Sequence, residues 1–453
     1  MSDDEIRGLM RRMSRRDVLK WTVYAGTTAG ALSLIEACGG SSTSTGGGAS
    51  GGTPANQQVQ LVYAAQQDDS GTIPKQIAAW NTANPNTQVT YQPGPKVSQD
   101  FLTQLIAAFN AKSAVPDVFD ADVIWPGQFA AAGWMKPLDS FLSSSFKQGV
   151  FPSAVTVGQY NGKGYAVQRY YDAGRIYYRT DLLQKYSVQI PQTMNELVNS
   201  ATKIQDGERA AGNQNFWGFY WIGAQIEALF DEFLEWYWGL GGNLLDKSGN
   251  LKFDNDQGRK AAQFMYDTIY SGKISPPGTP TYKTPDIVPF MANGNAAFMR
   301  NWNFAQALLD DPRQSKVAGK IGAAPLPGET KVGFGCTGGW CMAMNTNTKY
   351  PDRSWQFMQY MLGQKGQATM ATGAGLSPVR PDVLNDPQVQ AANSAFKSLP
   401  DILKNTRSRP QLKNYTQVSA AIQPMLSAIM TRQKSVADGV KAAQAAVDDL
   451  LNS

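Results

Sequence analysis

Single strands and single helices alternate in the first third of the chain, and this order restricts the fold more than any other feature of the sequence. Predicted strands cover Val59–Ala64, Gln88–Tyr91 and Asp117–Asp122, and apolar helix faces lie between them at Ile73–Trp80 and Phe101–Phe109. Strands joined by one helix form parallel βαβ units, which predicts an α/β protein with a doubly wound sheet. Ligands of such sheets bind beyond the carboxyl ends of the strands.

The rest of the chain is richer in predicted helices. Apolar stripes cover Gly223–Leu240, Asp256–Tyr270 and the segment from Val436 to Leu451, and stripes of this period predict helices that face a core. The chain has 453 residues. One core stops growing at roughly 250–300 residues, so two domains are expected.

The composition excludes several classes of function. There is no histidine, which excludes His-based acid–base catalysis and His-ligated zinc, and three cysteines are too few for a Cys-only zinc site. A net charge of +5 is too dilute on 453 residues for a nucleic-acid groove. We therefore expect no metal, no cofactor and no nucleic-acid partner.

Two short motifs are rejected on their context. Residues 333–338 match G-x-G-x-x-G, but a predicted strand follows them, whereas dinucleotide binding requires a helix there. Asp254-Asn255-Asp256 resembles the start of a calcium loop, but Arg259 and Met265 occupy the positions that need Gly and Glu. Helix capping is the better interpretation of that segment.

The first 37 residues have the organisation of an export signal. Ser14–Lys20 resembles a twin-arginine motif, and Trp21–Ile35 is apolar but too short to span a membrane. Leu34–Cys38 resembles a bacterial lipobox, in which cleavage precedes a lipidated cysteine. We expect residues 1–37 to be removed, Cys38 to carry the anchor at the outer face of the cytoplasmic membrane, and residues 38–57 to form a Gly/Ser-rich tether. The alternative is an uncleaved anchor with an incidental cysteine.

Two further cysteines, Cys336 and Cys341, lie five positions apart. Disulfides persist in exported proteins, so we expect these two thiols to pair across a small loop. The alternative is two free, buried thiols.

Four phrases along the chain carry a family resemblance. They lie at 120–138 (DADVIWP, then GWMKPL), 170–183 (YYDAG, then IYYRTDLL), 293–302 (NGNAAFM, then RNW) and 338–358 (GGW, then SWQFM). Their order and spacing resemble those of bacterial extracellular solute-binding proteins of ABC importers, in the sugar-binding group, over residues 57–451.

This resemblance implies two α/β lobes joined by hinge strands, with the ligand in the cleft between them. Lobe one would contain residues 58–172 and 342–378, and lobe two residues 173–341 and 379–453. It also implies a monomer without enzymatic activity that binds a neutral disaccharide or oligosaccharide and delivers it to an ABC permease.

The resemblance further assigns the ligand contacts. Aromatic rings cover the C–H faces of a sugar, and carboxylates or arginines bind its hydroxyls. The matching positions are Asp69, Asp122, Tyr170, Asp172, Glu227, Trp302, Phe304, Gly339, Trp340 and Arg409. Asp122 and Asp172 would accept from hydroxyls, and Trp302 and Phe304 would stack opposite Trp340.

Roles for the other positions follow from the same comparison. Tyr170 would form a wall of the cleft, Gly339 would offer backbone, and Glu227 and Arg409 would reach the sugar. Asp69 would contribute after the first strand.

Each position also has a purely structural explanation, because the tryptophans could be core residues and the aspartates could cap loops. Among functions, a glycerol-phosphate-type ligand, a glycoside hydrolase with two carboxylates about 5–10 Å apart, and a sensory or adhesive lipoprotein stay open.

Overall fold

The computed structural model describes residues 57–452 except positions 249, 394, 395, 397 and 411. The predicted signal peptide, Cys38 and all but the last residue of the predicted tether lie outside the described residues. In the described part of the chain no helix is both long enough and apolar enough to cross a membrane.

The strands are β1 (Val59–Gln66), β2 (Thr87–Gly94), β3 (Val118–Asp122), β4 (Gln159–Tyr160), β5 (Lys163–Gly164), β6 (Ala166–Ala173), β7 (Arg175–Arg179), β8 (Trp217–Tyr220), β9 (Ala296–Asn301), β10 (Ile321–Ala324), β11 (Gly335–Met344) and β12 (Thr406–Arg407).

The helices are α1 (Thr72–Ala83), α2 (Ser98–Asn110), α3 (Pro126–Ala131), α4 (Ser144–Gln148), α5 (Pro152–Thr156), α6 (Thr180–Lys185), α7 (Met194–Ala210), α8 (Glu227–Gly239), α9 (Asp256–Ile269), α10 (Val288–Ala292), α11 (Phe304–Asp310), α12 (Pro351–Leu362), α13 (Gln364–Ala374), α14 (Pro381–Leu384), α15 (Pro387–Ala392), α16 (Leu399–Lys404), α17 (Tyr415–Met430) and α18 (Val436–Asn452). A 3₁₀ turn covers Thr279–Thr281.

The predicted βαβ order is confirmed in the first sheet. Its strands lie in the order β12-β11-β3-β1-β2, and β6 also pairs with β11. β1 is parallel to β2 and β3, with α1 and α2 as the crossover helices, whereas β11 runs antiparallel to β3 and β6. The second sheet has the order β10-β7-β9-β8. Each sheet is therefore mixed, and the protein is α/β as predicted.

Local sequence explains where several helices begin. Before α1, the Asp68 carboxylate accepts from the Ile73 N–H at 2.6 Å. Thr193 and Glu196 form a complete capping box at the start of α7. The Asn255 side chain accepts from the Gly258 N–H at 2.9 Å, so the segment that resembled a calcium loop is a helix cap.

The chain passes from the first sheet to the second at Gly174, because β6 ends at Ala173 and β7 begins at Arg175. The expected crossing near Ala173 lies one residue before this position, and its role as a hinge between lobes stays a prediction. The return lies between β10 and β11, since the whole of β11 pairs within the first sheet. The expected boundary at 341–342 falls inside β11. It is wrong, because β11 is hydrogen-bonded to strands of the first sheet on both sides of that position.

The expected boundary at 378–379 is also corrected by packing. α14 and α15 contact α13, which in turn contacts α1 beside the first sheet. Val383, Val389, Phe396 and Leu399 bury their side chains in one cluster with Ala371 of α13. The last crossing therefore follows Lys404, and α17 and α18 then pack with α8 and α9.

The predicted disulfide is wrong. Cys336 and Cys341 are free and buried, and both lie in β11. A strand rises about 3.3 Å per residue, which separates their Cα atoms by roughly 16 Å. A disulfide requires about 4.4–6.8 Å, so an extended strand keeps the two thiols apart.

Candidate functional site

A cleft of about 680 Å³ is lined by residues of the first sheet and by residues of α8 and α11. Its walls include every residue that the sequence predicted for the site, namely Asp69, Asp122, Tyr170, Asp172, Glu227, Trp302, Phe304, Gly339, Trp340 and Arg409. The fold thus brings together positions from across the whole described chain. Their contact with a ligand stays a prediction.

Arg409 lies close to three carboxylates in the cleft. It is buried, and its Nη1 lies 2.8 Å from Glu227 and 3.1 Å from Asp231. Its Nη2 lies 3.6 Å from Asp122, the last residue of β3. One guanidinium therefore joins a carboxylate of the first sheet to two carboxylates of α8.

Two hydroxyl groups of α17 also bind Glu227. The Tyr415 hydroxyl donates to its Oε1 at 2.7 Å, and the Ser419 hydroxyl donates to its Oε2. Both donors lie on α17, one turn apart. Glu227 thus accepts from a guanidinium and two hydroxyls, which fix its orientation at the N-terminus of α8.

Asp172 lies at the end of β6, next to the first crossing. Its Oδ1 accepts from the Ala173 N–H at 2.7 Å and from the Asn303 N–H at 2.8 Å. Asn303 also donates to the Tyr171 carbonyl at 2.8 Å. These bonds tie the start of α11, which carries Phe304, to the end of β6.

Burial controls the ionisation of the cleft carboxyls. It raises the pKa of Asp122 to about 6, against the opposing effect of Arg409. It also raises the pKa of Asp172 to about 6 and that of Asp231 to about 8, although nearby guanidiniums act in the opposite direction. The cleft therefore holds protons at pH values where solvated aspartates are fully ionised.

The two predicted stacking tryptophans differ in exposure. Trp302 is half-buried, whereas Trp340 is only 8% exposed and packs edge-on against Trp125 with ring centroids 5.2 Å apart. Phe101 lies on another side of Trp340 at 5.8 Å. Trp340 is thus mainly a core residue with one edge in the cleft, and the core explanation accounts for most of its surface.

Gly339 occupies a position that requires glycine. Its φ is +104°, which L side chains rarely adopt, and a Cβ there would overlap the Tyr170 carbonyl oxygen. The backbone of β11 consequently approaches β6 beside the cleft. That Gly339 offers backbone to a ligand stays a prediction.

The remaining predicted residues lie nearer the rim or the walls. Asp69 is exposed and its carboxylate binds the Lys96 ammonium at 2.7 Å, so it belongs to the rim. Phe304 is half-buried at the start of α11. Tyr170 is half-buried, and the Arg169 guanidinium lies 5.1 Å from its ring centroid.

Sequence reasoning missed the Arg169–Asp120 pair and Asp231, all of which line the cleft. Arg169 binds Asp120 at 2.8 Å with both side chains buried, and the Tyr63 hydroxyl donates to Asp120 at 2.7 Å. Asp231 follows Glu227 by four positions, as Glu235 follows Asp231. That spacing places three acids along one side of a helix whose other residues, except Glu232, are mostly apolar or aromatic, and it could have indicated a buried ionic surface.

The residues described by the structure include no group of three or more His, Cys, Asp or Glu side chains that could hold a metal ion. Arg409 faces the carboxylates of Glu227 and Asp231, and the Ser419 hydroxyl donates to Glu227.

Comparisons with known proteins agree with this architecture. Residues 64–368 match the family described as bacterial extracellular solute-binding protein. A probable ABC transporter-binding protein of Deinococcus radiodurans is 32% identical over 391 residues, which cover 84% of this chain and 91% of the relative. A mannitol-binding protein of Pseudomonas aeruginosa is 24% identical, and the match covers 71% of this chain and 78% of that protein.

A solved structure, maltose-bound MalE3 of T. maritima, superposes with a TM-score of 0.81 and 32% sequence identity. The match covers 86% of this chain and 100% of that chain. The protein belongs to the bacterial extracellular solute-binding family, and the predicted two-lobe α/β fold is confirmed.

Proposed function

We propose that this protein captures a neutral disaccharide or oligosaccharide in the cleft and delivers it to the permease of an ABC importer. The observation that carries the proposal is the pairing of aromatic and carboxylate surfaces in one cavity. Trp302, Phe304, Asp122 and Glu227 all line the cleft, and Arg409, Tyr415 and Ser419 orient Glu227. Rings suit the C–H faces of a sugar, and carboxylates suit its hydroxyls.

The charge of the cleft supports a neutral ligand over a phosphorylated one. Arg409 already faces carboxylates at 2.8, 3.1 and 3.6 Å, so its positive charge is compensated within the protein. A phosphate at this place would meet the same carboxylates and be repelled by them. The size of the cavity, about 680 Å³, lies in the range of small-molecule sites.

The relatives support the same class of ligand. The names of two of them refer to mannitol and maltotriose, and the solved MalE3 structure contains maltose. Capture without turnover is part of the proposal, because the family is one of solute-binding proteins. Closure of the lobes around the ligand would create the form that a permease recognises.

Titration calorimetry tests the proposal directly. The purified protein is titrated with maltose, maltotriose, mannitol and glycerol 3-phosphate, and saturable heat with a neutral compound is expected. Binding of glycerol 3-phosphate alone would overturn the neutral-ligand proposal. Release of glucose from maltotriose during incubation would contradict capture without turnover.

A matched pair of variants locates the binding. Trp302→Ala is expected to abolish the heat, whereas Trp217→Ala is expected to leave it unchanged. Trp217 is a suitable control because it too is half-buried and stacks on an arginine, Arg209, at 4.4 Å, but lies on β8 away from the residues that line the cleft. Equal losses in both variants would indicate misfolding and not the loss of a contact.

The proposal includes export and anchoring through Cys38, with the protein acting as a monomer. It is supported by the Leu34–Cys38 motif and by the extracellular character of the family. Mass spectrometry of the membrane fraction is expected to find a lipidated cysteine at the mature N-terminus, and Cys38→Ala is expected to shift the protein out of that fraction. An unmodified protein that stays membrane-bound after this substitution would favour the uncleaved anchor.

A further inference from the structure

An arginine lies directly against the tryptophan that lines the cleft. The Cζ atom of Arg300 lies 4.2 Å from the ring centroid of Trp302, and Arg300 is completely buried. Trp302 lines the cleft, so the guanidinium contacts its indole from within the protein. Contact of a guanidinium plane with an indole is favourable and restricts the orientation of the ring.

Glu235 fixes the orientation of that guanidinium. Arg300 donates from Nε to Glu235 Oε2 at 2.7 Å and from Nη2 to Oε1 at 2.5 Å. Two parallel bonds define a plane, which a single bond or a lysine could not do. Arg300 lies on β9 and Glu235 on α8, so the pair also joins the second sheet to the helix that carries Glu227.

The same pair touches two segments where the chain crosses between the sheets. Glu235 Oε1 accepts from the Cys336 N–H of β11 at 2.8 Å. At the first crossing, a Cβ on Gly174 would overlap the Glu235 carboxylate and the Arg300 guanidinium. The indole of Trp302 itself lies against Gly338 of β11, where an added Cβ would lie 2.7 Å from its Cζ3 atom.

We propose that the buried Arg300–Glu235 ion pair positions the indole of Trp302 and connects it to the chain crossings at Gly174 and Cys336. Arg300 is a positioning residue, because it acts on the ligand through Trp302. Movement of one lobe against the other would then change the position of this tryptophan together with the crossings.

Stability alone is a weak explanation for this pair. Buried ion pairs contribute little net stability compared with apolar side chains of similar volume. Arg300 Nη1 has no hydrogen-bond partner among the residues described, and a second carboxylate, that of Glu232, stays 3.6 Å from Nε. The pair therefore has a clear cost in stability, and orientation of the Trp302 ring is a function that offsets this cost.

The first test needs no ligand. The protein is labelled with 5-fluorotryptophan, and the ¹⁹F resonance of Trp302 is assigned by its loss in Trp302→Phe. In the double variant Glu235→Gln with Arg300→Met, we expect this resonance to broaden or split and its H₂O/D₂O isotope shift to increase. The double variant keeps an acceptor for the Cys336 N–H and leaves no unpaired charge from the pair.

The second test rests on the proposed function and uses maltotriose as the probe. The double variant is expected to bind maltotriose about tenfold more weakly, which is the scale of one lost cation–π contact. The matched control is Arg209→Met, which removes the guanidinium against Trp217 outside the cleft. It is expected to change neither the Trp302 resonance nor the affinity.

The outcomes separate this inference from the function. A Trp302 resonance that keeps its line width and isotope shift in the double variant would overturn the positioning role, whatever the affinity. Lack of maltotriose binding by the unsubstituted protein would count against that sugar, while the ligand-free resonance would still decide the inference. Arg300→Lys keeps the buried charge and replaces the double variant if the latter does not fold, with the same expected changes.

Discussion

The two walls of the cleft balance their buried charges differently. On the first-sheet wall, Asp120 faces one guanidinium, that of Arg169, at 2.8 Å. On the opposite wall, α8 carries four buried acids that share two guanidiniums, those of Arg300 and Arg409. The acids of α8 are Glu227, Asp231, Glu232 and Glu235.

This difference shows why the α8 wall keeps a proton to higher pH than the first-sheet wall, where Asp122 and Asp172 have pKa values of about 6. An excess of buried carboxyls over guanidiniums cannot be fully ionised without a large desolvation cost, so some of them keep their protons. Burial accordingly raises the pKa of Asp231 to about 8 and that of Glu232 well above its usual range.

Removal of Arg409 is expected to have the largest effect on stability. Arg409→Met leaves Glu227, Asp231 and Asp122 without their common guanidinium, and we expect a loss of about 3–5 kcal/mol in the free energy of unfolding. Arg169→Met is the matched variant on the other wall and leaves only Asp120, which keeps its bond from Tyr63. Its loss should be smaller. Urea denaturation at pH 7.5 measures both, and equal losses would show that the walls are alike.

The two cleft tryptophans are expected to separate stability from binding. Trp340→Ala should lower the free energy of unfolding by about 3 kcal/mol, since its ring packs between Phe101 and Trp125. Trp302→Ala should cost less stability, because this side chain is half-buried, but should remove sugar binding. Thermal unfolding and calorimetry on both variants check this, and a reversed order would assign the core role to Trp302.

The excess acid on α8 predicts a stability that falls with rising pH. Native Asp231 keeps its proton up to pH about 8, whereas an unfolded aspartate loses it near pH 4, so the native state binds more protons between these values. The free energy of unfolding should therefore decrease from pH 6 to pH 8, by at most about 1.4 kcal/mol per pH unit for this group. Asp122 and Asp172, with pKa values of about 6, act in the same direction below pH 6.

Asp231→Asn provides the control for this titration. The amide has the shape of the protonated acid and cannot ionise, so the decrease between pH 6 and pH 8 should be reduced. Denaturant midpoints across the pH series report the difference. A slope that does not change in Asp231→Asn would mean that another group, such as Glu232, carries the titration.

The smallest expected effect concerns the two thiols of β11. Because Cys336 and Cys341 are buried and far apart, dithiothreitol should not change the melting temperature. A thiol reagent should react with both only after denaturation, since burial raises the pKa of each thiol well above its usual range. A melting temperature that falls on reduction would restore the disulfide.

The sequence predicted much of the fold because periodicity and single-helix spacing are local signals. The alternation over β1, α1, β2, α2 and β3 appears in the structure as expected, with differences of a few residues at the ends. The start of α8 lay four residues later than its stripe suggested, because Ile226 is extended. The chain crossings were harder to predict, since α13 and β11 determine them through distant packing.

The location of the candidate site was likewise easier to predict than its contacts. Every position predicted from the family resemblance, from Asp69 to Arg409, lines one cleft, but the resemblance did not show which groups bind each side chain. The sequence around Trp340 fits a stacking platform and a core residue equally well. Only the packing of Phe101 and Trp125 against its ring distinguishes the two. The burial of the α8 acids was not predicted, because Glu and Asp on a helix usually face solvent. The thiols were misjudged because their short separation suggested a loop where the chain is extended.

The position of Arg409 in the chain has a consequence for biosynthesis. Glu227 and its guanidinium partner are separated by 182 positions, and the Ser419 donor lies 192 positions away. At translation rates of roughly 5–20 residues per second, α8 would wait about 10–40 s after its own synthesis before its countercharge is made. A nascent chain cannot bury these acids as ions during that interval. The α8 wall of the cleft is therefore expected to be among the last parts of the molecule to fold.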